Sequence, residues 1–167
     1  MILNLKPFNA VAQTTRAPAA INLLFLCVVA AATFAFNATA QTASFSPVGL
    51  WRSIDDKTGQ PKAEIRIAAN TAGVLTGVVE KALITPPELT CTLCADDRKD
   101  KPKLGMEVIR GAAKADGKDT WEGGKVLDPE NGKNYTLRLT LVESGSKLEV
   151  RGSIGPFGRT QTWIRIQ

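Results

Sequence analysis

The chain has 167 residues, 21 lysines and arginines against 16 aspartates and glutamates, three cysteines and no histidine. That length holds one domain, or one domain behind a targeting segment. Without histidine the chain alone supplies no Ser-His-Asp triad, no Cys-His pair and no histidine-ligated zinc.

The +5 charge and 44% hydrophobic content average two unlike regions. Residues 1–40 contain 27 hydrophobic residues, whereas residues 41–167 contain 46. Lys6 and Arg16 make the start positive, an almost unbroken apolar run follows from Leu23 to Phe36, and it ends in Asn37-Ala38-Thr39-Ala40. A basic start, an apolar centre and a small-x-small ending are the three parts of a secretory signal peptide, so cleavage is expected after Ala40. A retained anchor fits less well, because a spanning helix needs about 20 apolar residues and this run has 14. Leu26 stands before Cys27, where lipoprotein processing wants a small residue. The expected product is a chain of 127 residues with a charge of +3 and no stable membrane span. Its expected home is an oxidising one, a periplasm or the cell exterior.

All 14 glycines lie beyond residue 40, between or within segments rich in Val, Ile, Leu, Thr and aromatics. Alternation with a period of two, and turn signals every 8–15 residues, predict an all-β domain over 41–167. Strands are expected near 48–54, 62–69, 73–83, 105–112, 119–127, 133–143, 147–154 and 159–166. The connectors carry turn chemistry, as in Asn70-Thr71-Ala72-Gly73, Asp128-Pro129-Glu130-Asn131-Gly132 and Gly155-Pro156-Phe157-Gly158. Most are too short for crossovers, so neighbours should pair antiparallel. Eight such strands close into an up-and-down barrel; an open sandwich is the alternative.

Within the strands, Tyr135-x-Leu137-x-Leu139-x-Leu141 is the clearest inward stripe, with Ile65 and Ile67, and Leu148 and Val150, as shorter ones. Strict alternation puts Met106, Val108 and Arg110 on one face, opposite Glu107 and Ile109. Gly123-Gly124 inside a strand predicts a bulge or corner. The one long connector, 84–104, holds Pro86-Pro87, Cys91, Cys94 and a nearly self-cancelling charge run at 96–103. The charge run reads as solvated loop, and the whole connector as a lid or side flap over one barrel mouth.

Gly49-Leu50-Trp51 opens the first strand. Gly-x-Trp at this place resembles the start of lipocalins and related calycin barrels. There the Trp plugs the narrow end and an arginine from the last strand packs across it, a part open here to Arg165 or Arg159. A guanidinium over an indole gains about 0.5–2 kcal/mol. Cys91-Thr92-Leu93-Cys94 reads first as a disulfide within the loop, its effect a local ordering. A redox role would want the first Cys at a helix N-terminus, and no βαβ pattern surrounds it. A structural zinc would need two further ligands. The carboxylates show no pair set apart by spacing, and the dispersed +3 charge with few aromatics disfavours nucleic acid.

Four segments together resemble one family: Gly49-Leu-Trp-Arg-Ser-Ile-Asp-Asp56; Cys91-x-x-Cys94 with Asp96-Asp-Arg-Lys-Asp-Lys-Pro-x-Leu-Gly-Met106; Trp121-Glu-Gly-Gly-Lys-Val-Leu-Asp-Pro-Glu-Asn-Gly-Lys133; and Leu148-Glu-Val-Arg-Gly-x-Ile-Gly155 leading to Gly158-Arg-Thr-Gln-Thr-Trp163. The family is the uncharacterised bacterial one known as domain of unknown function 2147. The resemblance implies a small exported protein with a lipocalin-like barrel, and no established activity, cofactor or catalytic residue. The leading expectation is therefore a non-enzymatic binding module for a small apolar or amphipathic ligand. Its expected lining is Val108, Trp121, Tyr135, Leu137 and Leu139, with Arg110 as anchor for a carboxylate or headgroup. The alternative is an envelope structural or interaction module whose barrel is filled by its own side chains. No metal or cofactor is expected.

Overall fold

The structure is a computed structural model and describes residues 45–167; the expected signal segment and its cleavage after Ala40 lie outside those residues. The described chain runs through β1 (Gly49–Ile54), β2 (Pro61–Ala69), β3 (Leu75–Ala82), β4 (Glu107–Lys114), β5 (Thr120–Glu122), β6 (Lys125–Asp128), β7 (Lys133–Val142), β8 (Lys147–Ile154) and β9 (Phe157–Arg165). Every pairing is antiparallel, and short turns join β1 to β2, β2 to β3, β4 to β5, β6 to β7, β7 to β8 and β8 to β9. β1 joins β9 and β3 joins β4, so the sheet closes on itself. β5 and β6 each lie between β4 and β7. They are two halves of one expected strand, parted at Gly123-Gly124, and the molecule is an eight-stranded barrel.

The period of two selects what faces inward. Across β7, β8 and β9 the register sets Leu139 beside Val150, and Leu141 beside Leu148, which in turn faces Trp163. Across β1 and β2 it sets Trp51 beside Ile65 and Gly49 beside Ile67. Trp51, Ile67, Leu75, Ile109, Leu137, Leu139 and Leu148 are almost wholly buried. Each such side chain withdrawn from water contributes about 1.5–3 kcal/mol.

β4 departs from strict alternation. Against β3 its register shifts twice, so that Val108 and Gly111 are extra residues beside an otherwise regular ladder. The first bulge puts Val108 and Ile109 both in the core, while Glu107 and Arg110 come to the same outer side and pair with each other at 2.6 Å. The inward placement of Arg110 is thus corrected: each bulge reverses the alternation beyond it.

The long connector folds back on itself through Lys103 N–H to the Leu89 carbonyl at 2.8 Å, a Thr90–Pro102 bridge, and Cys91 N–H to the Lys101 carbonyl at 2.9 Å. Cys91 and Cys94 form a disulfide, S–S 2.06 Å, and both are buried. The charge run is largely exposed, as a solvated loop would be, and the exception is Arg98. Arg98 is only 6% exposed. Its guanidinium grips Asp96 and donates to the Glu107 carbonyl at 2.8 Å and the Asn134 side-chain oxygen at 2.6 Å, pinning the connector to β4 and β7. That clasp holds the Asp96 carboxyl well below its ordinary range. Gly132, in the β6–β7 turn, has φ 69°, and a side chain there would start 2.0 Å from the Leu93 carbonyl oxygen. Turn and disulfide loop meet backbone against backbone.

Candidate functional site

The two ends of the barrel differ. One end gathers the start of β1, the last residue Gln167 and the β2–β3, β4–β5 and β7–β8 turns; the other gathers the β1–β2, β6–β7 and β8–β9 turns and the long connector. At the first end Trp51 is fully buried, and its indole N–H donates to the Pro47 carbonyl at 2.7 Å. The Arg165 guanidinium covers the Trp51 ring at 4.2 Å. It donates to the carbonyls of Gly145 at 2.6 Å, Ser46 at 2.7 Å and Val48 at 2.9 Å. Burial pushes the Arg165 pKa down from its ordinary value. Gly49 has φ 144°, and a side chain on it would start 2.5 Å from the Gln167 carbonyl oxygen and 2.8 Å from the Arg165 guanidinium. Gly-x-Trp here is glycine making room for the arginine that covers the tryptophan. Arg159, six residues earlier on β9, lies at the other end and pairs with Asp56, holding that carboxyl below its usual range.

The other half of the barrel encloses a cavity of about 590 Å³. Its inner wall is apolar and includes Ile65, Val79, Val108, Val150 and Trp163, all buried. Gly152, paired with Leu137 across β7 and β8, keeps the wall thin: a side chain there would start 3.1 Å from the Tyr135 Cβ. The rim is mixed. Lys62 pairs with Glu130 at 2.5 Å and lies 3.6 Å from Asp55. Asp128 accepts from Asn131 at 2.9 Å, and Asn131 also donates to the Tyr135 hydroxyl at 3.0 Å. Ile84, Pro86 and Lys103 come from the two ends of the long connector, Ile154 and Phe157 from the β8–β9 hairpin. Phe157 is 80% exposed.

Of the residues chosen from sequence, Val108 and Tyr135 line this cavity. Trp121, Leu137 and Leu139 are buried in the packed core and are not among its lining. Arg110 stands outside, where Asp97 takes two of its N–H groups at 3.0 and 3.2 Å and, with Glu107, raises its pKa. The β9 contribution went unread: Phe157, Arg159, Gln161 and Trp163 all line the cavity. The signal was their spacing of two, the same that exposes the β7 stripe. Among the described residues no group of three or more His, Cys, Asp or Glu side chains is placed to hold a metal ion, and no helix is long and apolar enough to cross a membrane.

A solved structure of similar shape is protein HP1028 from Helicobacter pylori, described as belonging to the lipocalin family. It matches with a TM-score of 0.60 at 18% identity, over 72% of this chain and 82% of that one. At that identity the likeness establishes the fold, a lipocalin-like barrel. No curated protein matches the chain. The family model described as "Uncharacterized protein conserved in bacteria (DUF2147)" matches residues 49–165, from the glycine beside the plug to the arginine over it, and the chain belongs to that family.

Proposed function

We propose that this protein is a non-catalytic container for a small apolar or amphipathic ligand, held in the open half of the barrel. The observation that carries this reading is the cavity of about 590 Å³ with an apolar inner wall and a polar rim, a size and lining ordinary for small-molecule sites. The lipocalin-like fold supports it, since eight strands leave room for one small ligand. A barrel filled by its own side chains describes only the end around Trp51. The carboxylates lining the cavity are engaged, Glu130 by Lys62 and Asp128 by Asn131, which supports storage over acid–base chemistry. Export by the amino-terminal segment belongs to the same proposal, and the bridged Cys91–Cys94 pair suits an oxidising compartment.

The test is titration with a fluorescent lipid probe, for wild type and for Ala63→Phe, which puts a ring into the cavity wall. Wild type should take up one probe per chain. Ala63→Phe should take up none while keeping its unfolding midpoint. A wild-type protein that ignores such probes, or an Ala63→Phe protein that binds them as well, removes the support.

A further inference from the structure

The polar groups around the cavity are unequally committed. Of the cations on its lining, Lys62 has Glu130 and Asp55, and Arg159 has Asp56. Lys103 lines the cavity and, among the described residues, its ammonium meets no carboxylate. Its backbone is fixed, N–H to the Leu89 carbonyl and carbonyl to the Met106 N–H, so the charge is held near the opening by a braced loop.

Deeper in the wall, Trp163 donates its indole N–H to the Gln161 side-chain oxygen at 3.2 Å. An indole N–H only donates, so the amide must turn its carbonyl to Trp163 and its NH2 away. That NH2 finds no partner among the described residues. Tyr135 accepts from Asn131 and keeps its own O–H proton to give. The uncommitted groups are therefore donors: one ammonium, one amide NH2 and one phenol. The two carboxylates on the lining, Asp128 and Glu130, each already hold a donor. A purely apolar ligand would bury these donors unpaired, and a cationic one would meet Lys103 without a free carboxylate in compensation; both are penalised.

Resting on the container reading, we propose that the ligand is a long-chain carboxylate, its head paired with Lys103 and drawing on the Gln161 and Tyr135 donors, its chain against Ile65, Val79, Val150 and Trp163. A single negative charge matches the single unpaired cation, which sets a carboxylate above a phosphate dianion.

The experiment competes dodecanoate, methyl dodecanoate, dodecyl phosphate and dodecylamine against the fluorescent lipid probe, with wild type, Lys103→Gln and Gln161→Leu. Dodecanoate should displace the probe about tenfold more strongly than its ester, the measure of one charge-assisted hydrogen bond. It should also outcompete the phosphate and the amine. Lys103→Gln should erase most of the carboxylate preference while leaving the ester unchanged. Gln161→Leu should weaken acid and ester alike. Equal displacement by acid and ester, a winning phosphate or amine, or a preference that survives Lys103→Gln overturns the carboxylate assignment and leaves the container standing. A protein that binds neither probe nor any of the four chains overturns both.

Discussion

Arg165 covers the Trp51 ring and donates to the carbonyls of Ser46, Val48 and Gly145. One side chain thus joins the segment before β1, the β7–β8 turn and the plug. Arg165→Ala should cost about 3 kcal/mol, from a cation–π contact and three hydrogen bonds, read as a lower midpoint in urea unfolding followed by tryptophan fluorescence. Arg165→Lys should recover little, because an ammonium cannot reproduce the planar fork. Asp55 sets a pH dependence. The Thr58 N–H, with the Thr58 hydroxyl, the Lys57 N–H and the Lys62 charge, lowers its pKa to about 2, against an ordinary 3.8. A carboxylate with a lowered folded pKa stabilises above its unfolded pKa, and the contribution is lost as pH falls through the folded value. Asp55→Asn should therefore melt lower than wild type at neutral pH, and the gap should close between pH 4 and pH 2. A gap that persists at pH 2 would show that the charge is not what matters.

At the scale of elements, the β6–β7 turn and the disulfide loop hold each other, and Gly132 is where they touch. Gly132→Ala meets both a left-handed φ and a backbone 2.0 Å away, whereas Gly59, at φ 71°, has open space around it. Gly59→Ala should cost about 1–2 kcal/mol for the backbone alone, and Gly132→Ala more than 4 kcal/mol, beyond the usual range for one substitution. Similar losses at both sites would deny the contact. The connector shows how far a sequence can be read. Its length, prolines and cysteines marked it as special, because those are local features. The burial of Arg98 was hidden, because two of its partners, the Glu107 carbonyl and Asn134, are brought together only by the closed sheet. Arg110 was misplaced for a related reason: alternation assumes one residue per rung, and β4 has two places where it is not so.

At the scale of the whole molecule, the strand count, the antiparallel order, the Trp51 plug and the β7 stripe were legible, since each depends on period, turn chemistry or a short motif. The line between packed end and open end was not. It depends on which layer holds Leu139 with Val150 and which holds Gly152 with Arg159, a matter of cross-strand register that one strand does not reveal. The plugged end has another consequence. Leu50 N–H donates to the Gln167 carbonyl at 2.8 Å, so the first strand and the last residue are neighbours. The order in which the hairpins are strung is then separable from the barrel they make. A circular permutant that joins Gln167 to Phe45 by a short flexible linker and begins anew within Asn70–Gly73 should fold to the same barrel and bind the same probe. Both the splice and the cut lie on the far side from the mouth, so a tether or reporter placed at either would leave the opening clear.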